Sequence, residues 1–136
     1  MSKIIAIDYG LKRIGIAISD ESRILAFGLT TVSNSEINSY LNQLLKKEKV
    51  DTFVIGKPLQ KNHSPSQIED AILFFIKKIN KLFPHVIIER YDERFTSIIA
   101  KKTILDSGVN KKKRRNKDLV DKISATIILQ SYLENK

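Results

Sequence analysis

The stretch Ile4-Ile5-Ala6-Ile7-Asp8-Tyr9-Gly10-Leu11-Lys12-Arg13-Ile14-Gly15-Ile16-Ala17-Ile18-Ser19-Asp20 decides the fold. Its first four residues form an unbroken apolar run, the pattern of a strand covered on both faces. The run stops at Asp8-Tyr9-Gly10, and alternation from Arg13 to Ser19 then predicts a second strand. Asp20-Glu21-Ser22 supplies turn residues for a hairpin, and Leu25 to Val32 predicts a third strand. The chain thus opens with three strands in a meander, the first being the most buried.

Downstream the period changes. Ser33 or Ser35 is placed to cap a helix running to about Lys47, with Ile37, Leu41, Leu44 and Leu45 on its inner face. Thr52 to Gly56 is a short apolar strand. After the polar loop from Lys57 to Ser64, a second helix opens at Pro65 or Ser66. Ile68, Ile72, Phe75, Ile76 and Ile79 keep helical spacing along it. Pro84 marks the entry to a fifth strand, Val86 to Glu89. Two further helices are expected, from about Thr96 to Asp106 with a stop at Gly108, and from about Lys117 to Leu133. No internal repeat or linker interrupts this order, so residues 1–136 are expected to form a single domain. The fold class is α/β: a five-stranded mixed sheet flanked by helices, in the element order of a ribonuclease H-like fold.

Composition narrows the chemistry. With no cysteine, disulfides and thiolate metal sites are excluded, and His63 and His85 are too few for a histidine-rich zinc centre. A bound metal must therefore use carboxylates, which favour magnesium or manganese. There are 24 lysines and arginines against 15 acids, a net charge of +9 that suits a polyanionic partner. No apolar run approaches the roughly 20 residues that a membrane helix needs. The apolar start is too short for a secretory signal, so a cytoplasmic location is expected.

Three acids stand where chemistry is possible. Asp8 ends the first strand, at the edge where ligands gather in sheets of this kind, although it also fits as a brace for the turn at Gly10. Glu93, in Asp92-Glu93-Arg94 after the fifth strand, is either a ligand or a partner of Arg94, with Asp92 open to a helix-capping role. Asp121 shares one helical stripe with Ala125, Ile128 and Tyr132, unlike an ordinary solvated charge. It also fits as an acid favoured by the helix dipole, a role for which Asp118 is the better candidate. If the three converge, Asp8, Glu93 and Asp121 are both the candidate catalytic residues and the candidate metal ligands. Lys12, Arg13 and Arg94 lie next to these acids, either to position phosphates or to pair with the acids themselves. The run Lys111-Lys112-Lys113-Arg114-Arg115 is read as a grip on a nucleic-acid backbone, against the alternative of a solvated loop. Tyr9 is expected to pack rather than to stack on a base, and His63 fits an ordinary loop histidine better than a proton shuttle.

Several segments together resemble the YqgF family, also called RuvX or Holliday-junction-resolvase-like proteins. They are Ile7 to Asp20, Gly56-Lys57-Pro58-Leu59, Asp92-Glu93-Arg94-Phe95-Thr96-Ser97, and Lys117 to Leu133 with Val120-Asp121 and Ile128-Leu129-Gln130-Ser131-Tyr132-Leu133. The resemblance implies a ribonuclease H-like fold, with Asp8, Glu93 and Asp121 as an acidic triad using a divalent metal. It also implies a nuclease that matures the 5′ end of precursor 16S ribosomal RNA. The chain departs from many members at Gln60-Lys61-Asn62-His63-Ser64-Pro65, where they carry an Asn-Met-Asp-Gly type of loop. Two other readings compete: a non-cleaving nucleic-acid-binding factor in ribosome assembly or transcription, and a Holliday junction resolvase. An actin-like ATPase is disfavoured, because 136 residues do not hold two copies of the fold. A monomer and a weak dimer are equally compatible with the sequence.

Overall fold

The computed structural model describes residues 2–58, 67–93 and 117–135. Its strands are β1 (Lys3–Asp8), β2 (Arg13–Ser19), β3 (Ala26–Ser33), β4 (Val50–Lys57) and β5 (Ile87–Asp92). Its helices are α1 (Ile37–Lys47), α2 (Gln67–Leu82) and α3 (Lys117–Glu134). Several expectations lie outside the described residues: the start of α2 at Pro65 or Ser66, His63, Arg94, the helix from Thr96 to Asp106 with its stop at Gly108, the run Lys111 to Arg115, and the side chain of Asp118.

The sheet order is β3-β2-β1-β4-β5, with β1 central. β1, β2 and β3 pair antiparallel, whereas β4 joins β1 in parallel and β5 joins β4 in parallel. This is the mixed sheet expected, and the central place of β1 explains why Ile4, Ile5, Ala6 and Ile7 are all fully buried.

Alternation sends the strand residues to two cores. One face carries Ile5, Ile7, Ile14, Ile16, Phe53 and Ile55, packed against Ile37 and Leu41 of α1 and Ile72, Phe75 and Ile79 of α2. The other carries Ile4, Ala6, Ala17 and Val54 beneath Ala125, Ile128 and Leu129 of α3. Burying a large aliphatic side chain contributes about 1.5–3 kcal/mol, so these two layers supply the main drive for this order.

The strand β2 departs from a simple half-buried pattern, since every residue from Ile14 to Ser19 is buried. Its alternation is one of size rather than polarity. The large isoleucines face α1 and α2, while Gly15 and Ala17 leave room for α3 to come close. A Cβ on Gly15 would stand 2.0 Å from the backbone oxygen of Asp121, so only glycine fits there.

Several element ends differ from the sequence reading, while the turn at Asp20 stands as expected. Ser33 makes no side-chain cap bond; a 3-10 turn (Asn34–Glu36) precedes α1, and Asn34 Nδ2 donates to the Gly10 oxygen at 2.8 Å. That bond ties the entry of α1 to the loop after β1. The turn between β2 and β3 is closed by Asp20, whose carboxylate accepts from the backbone N–H of Ile24 and Leu25 at 2.8 and 3.0 Å. Finally, β5 begins one residue later than Val86 and runs on to Asp92, which pairs with Lys57. Asp92 is therefore the last residue of β5.

Candidate active site

The carboxyl ends of the parallel strands β1, β4 and β5 lie at one edge of the sheet, as their paired register requires. Asp8, the last residue of β1, follows Ile4 and Ala6 on the α3 face. Its antiparallel partner on β2 is Gly15, the residue against which the backbone of Asp121 rests. On its other side, Ile7 pairs with Ile55, one residue before Gly56 of β4. A Cβ on Gly56 would meet the Glu93 side chain at 3.7 Å and Ile128 Cδ1 at 2.8 Å. Asp8 therefore sits between two strands whose glycines clear space on the same face, with Asp121 above one and Glu93 above the other.

This placement shows in the chemistry of Asp8. Burial, then the nearby charges of Glu93 and Asp121, push its carboxyl up to about 7 from an ordinary 3.8. Three acids from three segments thus share one field. Among the described residues, no three acid or histidine side chains are drawn together at metal-liganding distance. Asp121 is instead engaged by Arg13, whose Nε donates to Oδ2 at 3.1 Å.

Of the basic residues singled out by sequence, Arg13 is thus paired with one of the acids, the bland alternative for it. Lys12 is exposed at the same loop. Tyr9 packs, as expected: its ring lies 4.7 Å from that of Phe75, on the face opposite Asp8.

Sequence reading missed Gly15 and Gly56, which make room for the acids, and Arg90. The Arg90 guanidinium donates to the oxygens of Ile55 and Gly56 at 3.3 and 3.2 Å and to Glu69 of α2 at 2.7 Å. It braces the end of β4 beside the site. A glycine opposite a strand-ending acid was a visible signal for the first two. Nothing in the sequence marks Arg90, because its partners are backbone carbonyls of another strand.

A model of the RuvX family, described as Holliday junction resolvase, matches residues 2–135. The chain belongs to this family. It is 53% identical over 136 residues to a protein of Flavobacterium psychrophilum named "Putative pre-16S rRNA nuclease", covering 100% of this chain and 99% of that protein. A protein of the same name from Bacteroides fragilis is 50% identical over 136 residues, with the same coverage. Among solved structures, the chain is similar to Thermus thermophilus RuvC in complex with a Holliday junction substrate. There the TM-score is 0.61 at 10% identity, covering 99% of this chain and 96% of that one. At that identity the likeness concerns the fold, which for this RuvX-family chain is ribonuclease H-like.

Proposed function

We propose that this chain is a nuclease that hydrolyses phosphodiester bonds in precursor 16S ribosomal RNA, with Asp8, Glu93 and Asp121 as its catalytic carboxylates. The observation that carries the reading is the electrostatic meeting of Asp8 with Glu93 and Asp121 at the carboxyl end of the central strand. The names of the full-length relatives support the substrate.

The donor set suits a hard divalent cation. It consists of carboxylates alone, and a carboxyl raised by burial and by two neighbouring acids is relieved by a positive charge placed among them. In this reading Asp8, Glu93 and Asp121 hold magnesium or manganese. Such an ion, when bound, lowers the pKa of a coordinated water and offsets charge on the phosphodiester. The chain's own residues do the rest. The buried floor of Ile128 and Ala125 fixes the helix that carries Asp121. Gly15 sets the distance of that helix from Asp8. Arg13 stands at the rim of the acids, where its guanidinium suits phosphate oxygens, and Lys12 adds a further positive charge. Arg94 and the run Lys111, Lys112, Lys113, Arg114 and Arg115 extend this grip along the backbone in a sequence-independent way.

The test is cleavage of precursor ribosomal RNA, and separately of a four-way DNA junction, by the native chain and by Asp8→Asn, Glu93→Gln and Asp121→Asn. Each is run with magnesium, manganese or chelator. The expected result is RNA cleavage by the native chain alone, abolished by chelator. Junction cleavage without RNA cleavage would make the chain a resolvase. Salt-sensitive binding of RNA by all four proteins with no cut would make it a binding factor.

A further inference from the structure

On the face of the sheet opposite the acids, a cavity of about 200 Å³ opens between the start of α1 and the middle of α2. Tyr9, Asn34, Ser35, Asn38, Phe74 and Lys78 line it. Two features of this wall belong to a ligand site and not to a core. The ring of Phe74 is 63% exposed, far more than packing requires. Lys78 Nζ stands 5.0 Å from the centroid of that ring, so an aromatic face and a cation are presented together.

The position matters as much as the lining. Consecutive strand residues point to opposite faces, so Asp8 and Tyr9 look to the two sides of the same strand end. Asn34 holds the cavity's rim to the Gly10 oxygen, in the loop that closes that end. The cavity therefore opens at the same strand end as Asp8, on the other side of the sheet.

We propose that this cavity is a binding site for one unpaired nucleotide next to the phosphate that is cut. Its base stacks on Phe74, and a flanking phosphate meets Lys78. A base stacked on Phe74 cannot at the same time be stacked inside a duplex, so the site selects single-stranded substrate at this position. The placement beside the cut rests on the nuclease reading, while the binding of an unpaired nucleotide does not.

The test is binding in chelator, where nothing is cut. Dissociation constants are measured by fluorescence anisotropy for a labelled short single-stranded RNA and for its blunt duplex, with the native chain, Phe74→Ala and Lys78→Ala. Removing a stacking aromatic is expected to weaken single-strand binding about 5- to 150-fold. Duplex binding stays within about twofold. Because Phe74 is exposed, its removal leaves the fold intact, and a matching urea midpoint for Phe74→Ala checks this. A single-stranded RNA carrying a photoreactive thio-base is expected to crosslink at Phe74 or Tyr9, located by mass spectrometry. Equal loss of single-strand and duplex binding, or unchanged single-strand binding by Phe74→Ala with no crosslink in the cavity, would overturn the proposal. If no nucleic acid is ever cut but Phe74→Ala still loses single-strand binding, the cavity stands and the nuclease reading falls.

Discussion

Replacing Asp8 by Asn is expected to make the protein more stable in chelator, by an amount that grows with pH. The folded state holds the Asp8 proton up to about pH 7, whereas the unfolded chain releases it near the ordinary value of 3.8. Between these values the folded state binds more protons, so stability falls as pH rises across this window and is level above it. The gap of about 3 pH units corresponds to roughly 4 kcal/mol at pH 8, at about 1.4 kcal/mol per unit. At pH 5 the same arithmetic leaves roughly 1.5–2 kcal/mol, and below pH 3 almost nothing. Asn keeps the shape and removes the charge. Urea denaturation of both proteins at pH 5 and pH 8, in chelator, should therefore show Asp8→Asn more stable at both. Its advantage should be larger by about 2–3 kcal/mol at pH 8, with unchanged m-values. Manganese should narrow the gap at pH 8 by stabilising the native chain alone. An Asn variant less stable than the native protein at pH 8, or an advantage that does not vary with pH, would refute the claim that Asp8 is held under charge stress by burial and by its neighbours.

Two further outcomes follow from the packing of α3. Gly15→Ala places a methyl group 2.0 Å from the Asp121 oxygen, so the helix must shift or the strand must bend. A loss of about 3 kcal/mol or more in urea denaturation is expected, and a loss under 1 kcal/mol would show that α3 does not rest on Gly15. Gln130 accepts from the Ala26 N–H at 2.9 Å and donates to the Ile24 oxygen at 3.1 Å, which covers the start of the outer edge of β3 as a neighbouring strand would. Gln130→Ala should cost about 1 kcal/mol and speed amide exchange at Ala26; unchanged exchange there would contradict this role.

The sequence by itself determined the layered α/β plan. A fully apolar Ile4–Ile7 has one stable home, the middle of a covered sheet, and the apolar stripes at helical spacing in α1 and α2 have one face to bury. It also put Asp8 at a strand end, because the apolar run breaks there. Periodicity is a property of neighbouring residues, so such features are legible locally. It said less about β2, where the small Gly15 and Ala17 look like ordinary strand alternation until a helix is laid on them. Only the tertiary structure decided that Gly15 lies opposite Asp8 and under Asp121, that Glu93 hangs beside Gly56, and that Arg13 engages Asp121. The same holds for Arg90, Gln130 and the cavity beside Tyr9, each of which joins segments far apart in the chain. Contacts of that kind depend on strand register and on how closely a helix approaches a sheet. Both are set by the volumes of side chains dozens of residues away, and no local pattern carries that information.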